Sequence, residues 1–565
     1  TGNLKISDGR VTLGTSGVAS NTAIEFLDGG MFADAQLYLT NSGNYTIGGL
    51  IGDNSGWNAT NPSVALGGGV GNHDYTINVA TGNSFSTSAT ISGSGYGEGQ
   101  LIKSGTGEQT LSGTISSLGD FTGSTAIIVT AGKLTLSSTS NSFDAGVEIR
   151  GGTLSVSNDG SLGSVPGTVD EDNIIFNGGA LEFTGTDTIN SNRGITMTGA
   201  GTINVTSSNT LTYGGSIVGS GNITKSGSGS LLLSGTSRSY SGDITVDGGT
   251  LSLGAQSVFN FAHTSGPNIT LNSGSTLTNS GDFFNRLNDL TINNATLTST
   301  GGDVTDFSGL AYQLNGTVTA SGTSTISNND ITLGYNGSGT TFNVASGGTL
   351  TVSSDLLNSN STTWGDFTDS ALTKSGSGTL VLSGTNTYSS GTTVSAGTLE
   401  IGNNSGLGSG NLTLSSGSKV SSNNTTARTL SNNLVFNNGG TVTIGDTTKS
   451  GALTFGSATL NADTTTTVDS NLIISQLDGN FAFTKNGSGT LTITTSQSGG
   501  TGATTINAGS LVFDQDSDGN GTFTRTGTTT INGGSLVVKG MYIGNQAGGG
   551  APPGSSAWST PVVMS

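Results

Sequence analysis

One segment recurs along the chain, and its recurrence limits the fold more than any other feature. Residues 225–254 read KSGSGSLLLSGTSRSYSGDITVDGGTLSLG, and residues 374–402 read KSGSGTLVLSGTNTYSSGTTVSAGTLEIG. Weaker copies begin at Lys103 and Lys485, and shorter echoes such as GGTLSVSNDGSLGS, SGGTLTV and GGSLVVKG lie between them. A unit of this length buries little by itself. It becomes stable by stacking on further copies.

Inside one copy the apolar residues alternate. Leu231 and Leu233 point one way and Leu232 the other, which is the pattern of a strand with one buried face. Tyr240 follows at a turn, then the pairs Ile244/Val246 and Leu251/Leu253. Gly-containing corners separate these strands and supply positive φ where the chain must bend. Stacked coils of this kind bury a continuous aliphatic column, with each inward Leu, Val or Ile contributing about 1.5–3 kcal/mol. Hydrogen bonds run from turn to turn, and Ser, Thr and Asn at matching positions form side-chain ladders. Repeats of about 20–30 residues predict about 20–28 turns and, at about 4.8 Å each, a rod on the order of 100–130 Å long.

Composition agrees with a coil and argues against helix and disorder. There are 96 Gly, and no stretch keeps an apolar i, i+3, i+4, i+7 pattern for three turns. Gly/Ser-rich chains are often unstructured, but here only 9% of residues are charged and the apolar residues fall in alternating runs such as Leu134-Thr135-Leu136 and Leu491-Thr492-Ile493. A net charge of −19 disfavours nucleic acid and anionic membrane as partners. No cysteine is present, so disulfides and Cys-ligated metals are excluded. No apolar run is long enough for a membrane-spanning segment, and no leader is visible at Thr1.

The copies at 225 and 374 resemble the passenger-associated transport repeat, also called the autotransporter-associated β-strand repeat. The resemblance rests on Gly376, Gly378, Thr379, Leu380, Leu382, Ser383, Gly384, Asn386, Tyr388, Thr392, Val394, Gly397, Thr398, Leu399 and Gly402, with 227–254 nearly as close. It implies an all-β, right-handed parallel β-helix (β-solenoid) rod, secreted or displayed on a bacterial cell surface. It implies no catalytic residues. The membrane barrel usual at the carboxy terminus of such proteins is not among these residues, so either it has been removed or export follows another route.

Three regions follow. Residues 1–100 are a less regular solenoid region, enriched in large side chains such as Met31, Phe32, Tyr38, Tyr45 and Trp57, which read as core filling or as an aromatic patch. Residues 101–550 carry the repeats. Residues 551–565 hold Pro552, Pro553 and Pro561 and read as a tail ending in Val562, Val563 and Met564. These three residues are a candidate inter-subunit arm.

Few groups suit chemistry. His73 and His263 lie in unrelated contexts and read as loop residues. Asp170-Glu171-Asp172 is the densest local acidic cluster for a polysaccharide-cleaving enzyme, and reads more simply as an exposed turn. Asp514, Asp516, Asp518 and Asn520, with Gly519 at the sixth place, resemble a calcium loop. Arg525 stands where the bidentate carboxylate of a full calcium hand belongs, so calcium is a candidate cofactor only. Thr464 to Thr467 suggest an ice-binding ladder, but the spacers are irregular.

The reading that results is a non-enzymatic extracellular surface element. Its role is structural or adhesive, with surface glycans or a host or neighbouring cell surface as partners. End-to-end self-association into a filament is a further expectation. The alternative is a β-helix that binds or cleaves polysaccharide.

Overall fold

The computed structural model describes residues 4–6, 10–13, 22–26, 36–40, 45–52, 62–67, 73–93, 99–118, 125–236, 239–255, 258–259, 266–281, 284–300, 310–327, 330–360, 367–495, 497–514, 523–525, 527–539 and 562–564. Among them the regular elements are short β-strands, with one 3-10 turn at Asp159–Leu162. That turn starts where the Asn158 side chain accepts from the Ser161 amide, the usual use of Asn as a cap. One strand pair, Ser359–Asn360 with Phe367–Thr368, is antiparallel. The other described pairs are parallel, each strand lying over its counterpart in the next turn. The fold is therefore a parallel β-solenoid, with about 18 turns among the described residues.

The chain forms two compact units, Thr1–Ala262 with Gly266–Asn285, and His263–Ser265 with Arg286–Ser565. In the first unit Leu134, Leu154, Leu181, Ile203, Lys225, Val246 and Leu271 stand one above another. A second column runs Leu211, Leu231, Leu251 and Leu277. The second unit repeats the arrangement with Leu350, Leu380, Leu399, Val420, Ile444 and Val468. All the apolar members of these columns are buried. The alternation within each strand places these side chains inward, and the in-register parallel pairing makes them continuous.

Outward positions carry hydroxyls at matching heights. Thr202, Thr224, Thr245 and Thr270 align in the first unit. Thr341, Thr373, Thr393 and Thr413 align in the second. Asn486, Asn507 and Asn532 form a hydrogen-bonded side-chain ladder, with 2.8 Å at each step.

Candidate functional site

The most distinctive chemistry of the chain lies inside the repeat. Ile223-Thr224-Lys225-Ser226 is a strand whose alternation turns Lys225 inward with Ile223. Lys225 thus stands in an aliphatic column, between Ile203 below and Val246 above. Lys103, Lys374 and Lys485 occupy equivalent places, and all four are fully buried.

Each ammonium is satisfied by backbone. Lys374 Nζ donates to the carbonyls of Ser375 at 2.6 Å, Gly376 at 2.7 Å and Ala396 at 3.2 Å. Lys103 donates to Ser104, Gly105 and Ala131, Lys225 to Ser226, Gly227 and Gly248, and Lys485 to Asn486, Gly487 and Ala508. Three donors thus meet three carbonyls that converge at one corner, two from the lysine's own turn and one from the next. Burial pushes each of the four ammonium groups down to about 8.

Two glycines make the corner. Gly376 lies at φ +69°, and a Cβ there would come within 2.2 Å of the Val344 carbonyl oxygen. Gly397 lies at φ +70°, and a Cβ there would come within 2.9 Å of the Lys374 ammonium. A side chain at Gly397 would enter the cradle, and one at Gly376 would collide with the backbone of the preceding turn.

Tyrosines close the opposite corner. Tyr388 is buried, and its hydroxyl and the Thr392 hydroxyl are 2.6 Å apart. Tyr240 donates to the Asp243 carbonyl at 3.0 Å. Asn386 links three turns, accepting from the Leu356 amide at 2.9 Å and donating to the Gly406 carbonyl at 2.6 Å.

A family model described as the passenger-associated-transport-repeat matches residues 101–128, 131–156, 223–253, 372–401 and 483–513. The chain carries passenger-associated transport repeats. In four of the five matches, those at 101, 223, 372 and 483, the cradle lysine is the third residue, so within this chain the cradle recurs with the repeat. Comparison with curated proteins and with solved structures finds no match to this chain.

The residues singled out by sequence fare differently. Asp514 ends a strand and pairs with Lys539 at 3.0 Å in the neighbouring turn. Asp516, Asp518 and Asn520 lie outside the described residues, as do His263, Met31, Phe32 and Trp57. Among the described residues no group of three or more His, Asp or Glu is placed to hold a metal ion. Val562–Met564 is a strand that pairs in parallel with Thr529–Ile531 of the same chain. Glu171 and Asp172 are exposed at the start of a strand, and Asp170 accepts from Asn173 Nδ2 at 3.0 Å. His73 begins a strand. Tyr45 is core, stacked on Tyr75 with ring centres 6.0 Å apart and planes 4° apart. Thr464 and Thr466 are buried, while Thr465 and Thr467 face outward. Among the described residues no helix is long and apolar enough to cross a membrane.

At the level of sequence the cradle lysines read only as markers of the repeat. The signal was present. In I-T-K-S, L-T-K-S and F-T-K-N the lysine shares the parity of the apolar residue two places before it.

Proposed function

We propose that this chain is a structural and adhesive element of a bacterial surface, a passenger-type solenoid that presents its outer faces to glycans or to another cell. The observation that carries the reading is where the repeat spends its polar chemistry. Its lysine, tyrosine and asparagine face inward and hold the turns together. Facing outward, beside scattered charged groups, are aligned columns of uncharged hydroxyl such as Thr341, Thr373, Thr393 and Thr413. Such columns suit many weak hydrogen bonds to a polyhydroxylated partner. The role is non-enzymatic and extracellular, and the repeat family supports that placement.

The test is display of the chain on a non-adherent bacterium, with attachment to glycan-coated and cell-coated surfaces measured against an undisplayed control. Attachment that falls when Thr373, Thr393 and Thr413 are replaced together by Glu supports the reading. Turnover of a polysaccharide by the purified chain would replace it with the enzymatic one.

A second reading is end-to-end assembly into a filament. It is favoured by the Val562–Met564 strand, which adds to the sheet beyond Thr529–Ile531 and carries the parallel pattern onward. Filaments by negative-stain microscopy that are lost on deleting 551–565 would support it, and a strict monomer at high concentration would remove it.

A further inference from the structure

We infer that the four cradle lysines are inter-turn locks, each ammonium fastening the corner of one turn to the corner of the next and so resisting stepwise unwinding of the coil. The argument rests on where the three acceptors come from. In every cradle two carbonyls belong to the one or two residues that follow the lysine, and the third belongs to the following turn: Ala131, Gly248, Ala396 or Ala508. A turn standing alone leaves one ammonium donor without its partner. Only the arrival of the next turn completes the set.

The surroundings make that completion matter. The ammonium is shut from water at all four places, so an unmet donor there has no solvent to turn to. Opening the two turns breaks a charge-assisted bond between them. The strand bonds close beside it act in the same joint. The Ser395 amide donates to the Lys374 carbonyl at 2.9 Å, and the Thr398 amide donates to the Gly378 carbonyl at 3.1 Å.

The other five lysines are used differently. Lys5, Lys133, Lys419, Lys449 and Lys539 reach the carboxylates of Glu25, Glu182, Asp446, Glu400 and Asp514 on the outer surface. Those ammonium groups remain partly in water and are screened by salt. The cradle lysines have no such screening. Two stand in each unit, Lys103 and Lys225 in the first and Lys374 and Lys485 in the second.

The experiment is native-state hydrogen exchange on the full chain and on its K374M and K374R variants. Methionine keeps the aliphatic stem in the column and removes the ammonium. Arginine keeps the charge but presents a flat fork, which does not place three donors on three converging carbonyls. The lock predicts that the Ser395 and Thr398 amides exchange about tenfold faster or more in both variants, with Leu453 and Leu472 unchanged. Unchanged exchange at Ser395 and Thr398 in K374M would overturn the lock. Full protection in K374R would overturn the three-carbonyl geometry.

Amine labelling of the unaltered chain decides the matter should neither variant fold. The lock expects Lys103, Lys225, Lys374 and Lys485 to react at least about a hundredfold more slowly than Lys539. Labelling of the four at the rate of Lys539 would overturn it.

Discussion

The Lys374 ammonium donates to the Ala396 carbonyl across 3.2 Å, joining two successive turns at a corner that a glycine holds open. That glycine is Gly397, and its missing side chain is part of the contact. A Cβ there would lie 2.4 Å from the Gly376 carbonyl oxygen and 2.9 Å from the ammonium.

Gly397→Ala is therefore expected to cost more than the backbone penalty alone. Placing an L residue in the left-handed region costs about 1–2 kcal/mol. Gly417 supplies the comparison, since it has φ +83° and nothing within 4 Å of where its Cβ would stand. Denaturant unfolding should show G397A less stable than G417A. Equal losses would mean that the cradle yields without cost.

The Tyr388 and Thr392 hydroxyls form a closed buried pair at 2.6 Å. Tyr388→Phe removes one partner and strands the other, which costs about 1–3 kcal/mol. Removing both hydroxyls with Y388F and T392V should recover part of that loss. A double-mutant cycle on unfolding free energies measures the coupling, and a coupling of zero would show that the pair is proximity without energy.

Arg193 is fully buried in the first unit. Its Nε donates to Asp159 Oδ1 at 2.9 Å, and its two terminal nitrogens donate to the carbonyls of Gly163 at 2.7 Å and Leu162 at 3.1 Å and to Asn173 Oδ1 at 3.1 Å. Breaking a buried pair of this kind by removing one member costs about 3–5 kcal/mol. Arg193→Met should lose an amount in that range, because the Leu162 and Gly163 carbonyls keep their places without this donor and the Asp159 Oδ1 is left with the Asn190 amide. Exchange at the Ser164 and Asp170 amides should rise with it. A loss under about 1 kcal/mol would mean that water replaces the guanidinium.

Arg193 also shows what the sequence does not disclose. The solenoid, its strands and its inward Leu, Ile and Val follow from period-two alternation, and Leu231, Leu233, Ile244, Val246, Leu251 and Leu253 are all buried as that pattern requires. Tyr240 stands at the corner where its place after the strand puts it. The polar core was not legible in the same way. Lys225 and Arg193 are inward because backbone carbonyls converge on them, and a carbonyl has no letter in the sequence. Parity with Ile223 points Lys225 inward, whereas a lysine is ordinarily found at the surface. Packing and hydrogen bonding across turns decided it. Asp514 shows the converse. Its neighbours in sequence suggested a calcium loop, while its described partner is Lys539 in the next turn.

The Asp446 turn gives the chain a defined response to acid. The Lys419 ammonium donates to Asp446 Oδ2 at 2.5 Å, and the Thr448 hydroxyl and the Thr448 and Lys449 amides donate to Oδ1. The Lys419 bond first, then these others, hold the Asp446 carboxyl well below the usual carboxylate range. A carboxyl with a lowered folded value stabilises the fold above its unfolded value, about 3.9, and that contribution fades as pH falls through the folded value. Asp446→Asn lacks the titrating group. The stability difference between the unaltered chain and D446N is therefore expected to be flat from neutral pH to about pH 5 and to shrink between about pH 4 and pH 2. Other carboxylates titrate in both proteins and cancel in the difference. Denaturant midpoints of the two proteins across this range measure it, and a gap that stays constant down to the lowest pH would show that Lys419 and the turn amides do not favour the charged form.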